Sequence, residues 1–409
     1  MVETFCILHL RTYNPGIAPR ENPMSSSPIE IVEAVTPQQS TEFIHFQWVP
    51  YQGNPYWVPP LISERQEFLD KTKHPFHQHS EVSLFMAKRG GQTVGTIAAI
   101  INNRHNETHG ENIGFFGLFE CVEDYAVAER LLSTARDWVK ARGTSAIRGP
   151  ANFSVNEEIG LLVEGYDMPP CILMTYNPPY YKDFVERFGF VKAMDLLQLF
   201  VDVGHLKDAE QAMDPRLVRI TRKLRERSKI TFRRVNFKNF DQEVEIIKKL
   251  YIQAWEKNWG NVPMTDAEID HLGRGLKQFV DPDLVLIAES NGEPVGLALC
   301  LPDMNIPLRK AYPRPGVPEW WTLLKMFYHW KLRNEIDTLR VVLLGVLEKY
   351  RKQGIEALLY MEVARYALPK GMHKAECGWV RETNDLMKNG LESIGARVFK
   401  RYRLYDLAI

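Results

Sequence analysis

Val346-Leu347-Glu348-Lys349-Tyr350-Arg351-Lys352-Gln353-Gly354-Ile355-Glu356-Ala357-Leu358-Leu359 joins two different patterns. Upstream, Thr338 to Leu347 is an apolar, β-branched run that reads as a strand; downstream, Gly354 to Ala367 repeats apolar residues at three- and four-residue intervals, as a helix does. A helix start leaves its first amide hydrogens unpaired, and the helix dipole adds positive potential there. Gly354 removes the side chain that would hold an anion off the main chain, and Arg351 and Lys352 reinforce the sign. The physics of this segment is that of a cradle for phosphate or pyrophosphate.

Its surroundings occur twice, about 200 residues apart. Met86-Ala87 followed by Gly91-Gln92-Thr93-Val94-Gly95 keeps the spacing of Ile287-Ala288 followed by Gly292-Glu293-Pro294-Val295-Gly296. With their flanks, Val82 to Ile101 and Leu284 to Leu301, both read as hairpins. A strand and a helix follow in each half: Ile113 to Cys121 with Ala126 to Arg142, and Thr338 to Leu347 with Gly354 to Ala367. Asn177 and Asn384 then open helical stretches that stop at Gly189 and Gly395, ahead of the final apolar runs Leu196 to Val203 and Val398 to Leu407. The pattern predicts an α/β (α+β) chain of two tandem domains, each a mixed, mostly antiparallel sheet flanked by helices. Residues 1–28 read as a mobile leader, 29–203 as the first domain, 204–228 as a linker with a basic helix, and 229–409 as the second domain.

With a strand reading V-x-x-x-Y before a loop reading R-x-x-G, the chain resembles the GCN5-related N-acetyltransferase (GNAT) superfamily, carried by Val346, Tyr350, Arg351 and Gly354. The resemblance implies that the loop Arg351, Lys352, Gln353, Gly354, Ile355, Glu356 and Ala357 holds the pyrophosphate of acetyl-CoA or another acyl-CoA. It further implies that the strand end at Val346 and Leu347 receives the pantetheine arm, and that Asn384 contacts the cofactor. Glu356 stands where the family has glycine or alanine. Over residues 29–409 the chain is similar to tandem bacterial N-acyltransferase-like proteins. In the first half the corresponding loop, Glu120-Cys121-Val122-Glu123-Asp124-Tyr125, carries three acidic residues and no glycine, so no coenzyme A is expected there.

Composition sets the outer limits. The 409 residues exceed one ordinary core, and 45% hydrophobic with 25% charged residues is a globular balance. Lysine plus arginine and aspartate plus glutamate both number 51, so no bulk positive field exists to hold nucleic acid. Five scattered cysteines without a C-x-x-C pair fit a reducing cytoplasm better than a disulfide framework. No apolar run of transmembrane length occurs, and Glu3 precedes the short run Phe5 to Leu10 where a secretory signal carries lysine or arginine.

Transfer of an acyl group to an amine needs a base for the nucleophile and a proton for the departing thiolate. The family's acid is often a tyrosine four residues before the helix-ending glycine, yet Leu391 and Val185 stand there. Glu382 and Tyr402 are the substitutes, with Glu376 and His373 nearby in sequence. Arg148, Asn152, Ser154, Asn156 and Glu157, with Tyr176 and Asn177, concentrate polar groups at a strand end and read as the acceptor side. A self-satisfied loop stapling the domains is the competing reading.

Glu319 to Asn334 sets nine large apolar or aromatic residues around a narrow stripe of Thr322, Lys325, His329 and Arg333. That face suits burial in its own domain first, then an acyl or lipid pocket, then contact with a membrane surface. The histidines of His74-x-x-His77-x-His79 and His105-x-x-x-His109 have ligand-like spacing, but their polar and proline neighbours indicate exposed loops and no metal. The sequence thus points to an acyl-CoA-dependent N-acyltransferase acting on a small-molecule or lipid-like amine. A non-catalytic binding or sensor protein of the same fold is the alternative.

Overall fold

The repeated alanine–glycine spacing produces two hairpins of the same register. In the first, β2 (Ser80–Arg89) and β3 (Gln92–Asn102) follow β1 (Ile29–Glu33), and Ala87 faces Gly95; in the second, β11 (Val285–Ser290) and β12 (Glu293–Pro302) follow β10 (Ile230–Arg234), and Ala288 faces Gly296. A bulge follows the alanine in both. The structure, a computed structural model, describes residues 27–204, 211, 215–227, 230–255, 259–351 and 353–409. Residues 1–26 of the expected leader, most of the 204–214 boundary and Lys352 lie outside the described residues.

The first half continues with β4 (Ile113–Cys121), β5 (Ala146–Gly149), the short β6 (Ala151–Asn152), β7 (Glu158–Ile159) and β8 (Leu161–Glu164), then β9 (Val191–Asp202). The second continues with β13 (Thr338–Val346), β14 (Lys374–Arg381) and β15 (Arg397–Ala408). Helices α1 (Pro37–Phe46), α2 (Ile62–Leu69), α3 (Asn103–His109), α4 (Tyr125–Lys140) and α5 (Tyr180–Phe188) belong to the first half. Helices α6 (Pro215–Arg227), α7 (Phe240–Trp255), α8 (Asp266–Lys277), α9 (Asn305–Ala311), α10 (Glu319–Phe327), α11 (Ile355–Ala367) and α12 (Asp385–Glu392) follow.

Among the described residues the two halves share one large sheet, and β6 and β7 form a separate two-stranded one. One 13-stranded sheet runs β1-β2-β3-β4-β5-β15-β9-β14-β13-β12-β11-β10, with β8 also on β15. The final strand of each half crosses over: β15 pairs with β5 of the first half, β9 pairs with β14 of the second, and the two exchanged strands pair with each other. Their side chains follow. Leu197 and Leu199 of β9 lie in the core that contains Leu286, Val341 and Leu359, whereas Tyr402 and Leu404 of β15 lie among Phe43, Phe115 and Leu162.

Helix α4 packs on the first half through Val127, Leu131, Leu132, Ala135 and Val139, all buried at three- and four-residue spacing. Gly95 permits this approach, since a Cβ there would stand 2.6 Å from Leu131 Cδ1.

Two expectations reverse. The aromatic stretch of α10 is not buried: Thr322 and Met326 face inward, while Trp320 (62% exposed), Trp321, Leu323, Leu324 and Phe327 face outward. The histidines expected in exposed loops are partly core. His74 and His105 are buried, His74 edge-on to Phe153 and His105 with Nε2 2.8 Å from a Glu111 carboxylate oxygen.

Candidate functional site

Strands β13 and β14 run parallel and paired only from Thr338–Lys374 to Val341–Cys377. Beyond that point both bulge: β13 carries one extra residue, Val342, against Leu299 and Cys300 of β12, and β14 bulges at Gly378 and Trp379 against β9. The strands therefore diverge, and the gap between Val342–Leu344 and Gly378–Arg381 opens into a cavity of about 440 Å³. That is within the roughly 300–1,000 Å³ of small-molecule sites.

Helix α11 is preceded by Gly354, whose φ of +82° is a left-handed conformation that glycine adopts without penalty. Among the described residues no side chain caps the helix, and Leu358 bonds back to the Gly354 carbonyl. The amides of Ile355, Glu356 and Ala357 are thus the orphan donors of a helix start. Arg351 does not point its guanidinium at an anion; it donates to the carbonyls of Val346 (3.1 Å) and Ala254 (2.8 Å) and so ties the end of β13 to α7. Gln353 is exposed and bonds the Lys349 carbonyl.

The cavity's long wall is apolar. Phe240, Val244 and Ile247 of α7 and Ile269, Leu272 and Leu276 of α8 face the sheet residues Val341 to Leu344 across it. A capping box of Thr265 and Glu268 fixes the start of α8. Removing each such side chain from water contributes about 1.5–3 kcal/mol, so a cavity lined this way favours an apolar occupant.

One end is polar. Arg65 and Glu158 form a two-point ion pair (2.6 and 3.2 Å), and Asn152 Nδ2 donates to the same carboxylate at 2.9 Å. Burial works to raise the Glu158 carboxyl, but Arg65 outweighs it and holds the group below its usual range. Glu64, next in sequence to Arg65, lines the cavity at its solvent-exposed rim; desolvation by the surrounding protein raises its pKa against the pull of Arg65, and Glu158 and Glu157 push the same way. Arg340 lies over the Trp379 ring at 5.3 Å and donates to the Ile172 carbonyl at 2.6 Å. Arg340 Nε and Trp379 Nε1 are buried donors without a protein acceptor among the described residues.

The structure distributes the residues expected from sequence as follows. Asn384 lines the cavity and caps α12, accepting from the Met387 amide at 3.2 Å. Val346 and Leu347 stand past the splay, paired with β12, and the Leu347 amide is committed to the Val295 carbonyl. Asn156 and Glu157 line the cavity; Asn156 accepts from Tyr251 and donates to the Val262 carbonyl. Asn152 reaches the site only through Glu158, and Ser154 accepts from the Asn156 amide. Arg148 is engaged by Asp406 and Glu111, Asn177 bonds Leu162 on both sides, and Tyr176 donates to the Tyr166 carbonyl. Asn177 and Tyr176 brace the first half, and Arg148 ties it to the exchanged strand β15. Glu382 accepts from Lys192 and the Asp195 amide, and Tyr402 is fully buried with its hydroxyl 3.3 Å from Gln198 Oε1. Glu376 is likewise buried, accepting from Gln198.

The corresponding cleft of the first half is occupied by its own residues. Asn152 Oδ1 accepts from the Leu118 amide at 2.7 Å at the β4 bulge. Glu120 points inward under the hydroxyls of Tyr181 (2.8 Å) and Tyr51 (3.1 Å), and burial raises its pKa to about 8.

Residues 244–389 match the acetyltransferase (GNAT) family. The chain is similar to Protein YghO of Escherichia coli (strain K12), 35% identical over 90% of this chain and 92% of that protein. It is also similar to a bacterial ceramide synthase of Caulobacter vibrioides, 33% identical over 94% of this chain and 99% of that protein. Among solved structures, a tandem GNAT protein from the clavulanic acid biosynthesis pathway shares the fold, with a TM-score of 0.56 at 11% identity, covering 93% of this chain and 98% of that one.

Proposed function

Because this chain belongs to the acetyltransferase (GNAT) family, we propose that it is an N-acyltransferase that moves a fatty acyl group from coenzyme A to the amine of a lipid-like acceptor. The observation that carries the reading is the apolar cavity continuing from the β13–β14 splay between α7 and α8, far larger than an acetyl group requires. The ceramide-synthase name of one relative supports the same acceptor class.

In this reading the amides at the start of α11, with Gly354, Ile355, Glu356 and Ala357, receive the pyrophosphate, while Arg351 positions the loop. The arm of the thioester lies in the splay against Val342 and Leu343, and its acyl chain runs between α7 and α8. The acceptor's amine sits at Glu64 and Glu157, beside the Arg65–Glu158 pair. Glu64 takes the proton the amine loses as its nitrogen bonds to the carbonyl carbon; the C–S bond breaks, and Tyr360, a cavity-lining tyrosine kept protonated by burial, supplies the thiolate's proton. Glu382 and Tyr402, outside the cavity lining, act in this scheme only through the fold.

The test is release of free thiol from palmitoyl-CoA and from acetyl-CoA with long- and short-chain primary amines. At about 0.8 kcal/mol per buried methylene, a preference for the long pair of well over tenfold is expected. Preference for acetyl-CoA removes the fatty-acyl part of the reading. Absence of thiol release with every amine favours a binding protein of this fold, the reading that buried Leu391 in place of the family tyrosine supports.

A further inference from the structure

Helix α10 and the helical turn Tyr328–Leu332 after it present an inverted amphipathic surface. Trp320, Leu324 and Phe327 share one outward face at helical spacing, flanked by Trp321, Leu323 and Leu332, the last 69% exposed. Isolated surface apolar residues need no explanation, but a contiguous patch of this kind marks an interaction surface.

The charges around it are one-sided. Between residues 305 and 335 stand six lysines and arginines against two glutamates. Both glutamates are engaged: Glu319 accepts from the Ser63 amide and hydroxyl, and Glu335 accepts from Lys310 and His329. Lys325 and Lys331 lie over the rings of Trp321 (5.6 Å) and Trp330 (3.8 Å), and with Arg314 they have no carboxylate partner among the described residues. Aromatic rings, aliphatic side chains and lysines whose stems lie on those rings form the arrangement that seats at a lipid headgroup boundary. A twofold contact with a second copy would place these cations against themselves.

We propose that α10 with the turn after it docks this protein on the surface of an anionic phospholipid bilayer. Its position gives docking a use. Ser63, which holds Glu319, directly precedes Glu64 and Arg65 of the cavity's polar end, so the helix stands beside the place where an amphipathic acceptor would enter. The inference does not depend on acyl transfer, since docking is read without substrate.

The experiment is flotation of the full chain with vesicles of phosphatidylcholine alone and of phosphatidylcholine with about 30% phosphatidylglycerol. Binding is expected to the anionic vesicles, weakening severalfold as salt is raised. It should fall at least about tenfold in Trp320→Ser/Leu324→Ser/Phe327→Ser and in Lys325→Glu/Lys331→Glu, whose positions outside the core leave the circular dichroism unchanged. No binding by the parent chain, or full binding by both variants, overturns the proposal. Conversion of a dimer to a monomer by the triple variant, with vesicle binding intact, overturns it in favour of a contact between copies.

Discussion

Asp124 and Gly354 hold the same place in the two halves, the cap of the helix that follows the fourth strand, and only Asp124 fills the helix donors itself. Its carboxylate accepts from the Ala126 amide at 2.9 Å and pairs with Arg89 at 2.8 Å, whereas Gly354 offers no side chain at all. One helix start is capped by a carboxylate and, among the described residues, the other by no side chain.

Gly354→Asp should therefore turn the second helix start into a copy of the first. Aspartate tolerates the left-handed conformation better than most residues, so the fold should survive with a cost of about 1 kcal/mol. Its carboxylate would compete for the amides and repel a diphosphate. Calorimetry with coenzyme A should show affinity reduced at least about tenfold; unchanged binding removes the α11 start from the site.

Gly273 lines the cavity from the middle of α8, and beyond its own helix backbone no described atom lies within 4 Å of where its Cβ would be. Gly273→Leu should raise the melting temperature, since replacing a mid-helix glycine contributes about 0.5–1 kcal/mol. It should also lower turnover of palmitoyl-CoA severalfold while sparing shorter thioesters. Equal loss across chain lengths would place the acyl chain elsewhere.

Breaking the Arg65–Glu158 pair leaves a carboxylate without its partner in a largely enclosed setting. Arg65→Met should cost about 3 kcal/mol in urea unfolding. Glu64→Gln, which disturbs no ion pair, should leave stability within about 0.5 kcal/mol and raise KM for the amine. It should also remove the acid limb of the pH–rate profile, which in the parent lies above an ordinary glutamate because Glu64 is raised.

Glu120 links stability to pH. Its folded pKa of about 8 lies above the unfolded 4.5, so between those values the folded chain holds a proton the unfolded chain has lost. Its contribution is fully present below pH 4.5 and declines as pH rises, by roughly 1.4 kcal/mol per unit, levelling off above pH 8. Urea midpoints from pH 5 to 9 should show that decline lessened in Glu120→Gln; an identical slope would contradict the buried, protonated state.

How much the sequence discloses follows from how local each feature is. The Ala87–Gly95 and Ala288–Gly296 hairpins, the Gly189 and Gly395 stops and the Gly354 loop are written in a few adjacent residues, and they are legible. The pairing of β9 and β15 is not, because alternation such as Leu197 and Leu199 fixes which face a strand buries and leaves open which strand it sits beside. The cavity's polar end is equally obscure. Arg65 lies 93 positions from Glu158, and neither carries a signal until the fold brings them together. The α7–α8 wall has the pattern of an ordinary amphipathic helix, since a face lining a cavity and a face packed on a sheet need the same side chains. In α10 the prior for apolar residues is burial, and only the inward Thr322 and Met326 reveal that the helix is turned the other way.

The crossing of β9 and β15 makes the two halves mutually dependent. Neither half, expressed alone, could close its own sheet: each would carry a last strand suited to its sibling and lack the one that seals its interior. The duplication is therefore not a pair of separable modules but a clasp, in which loosening either end strips cover from the opposite hydrophobic centre.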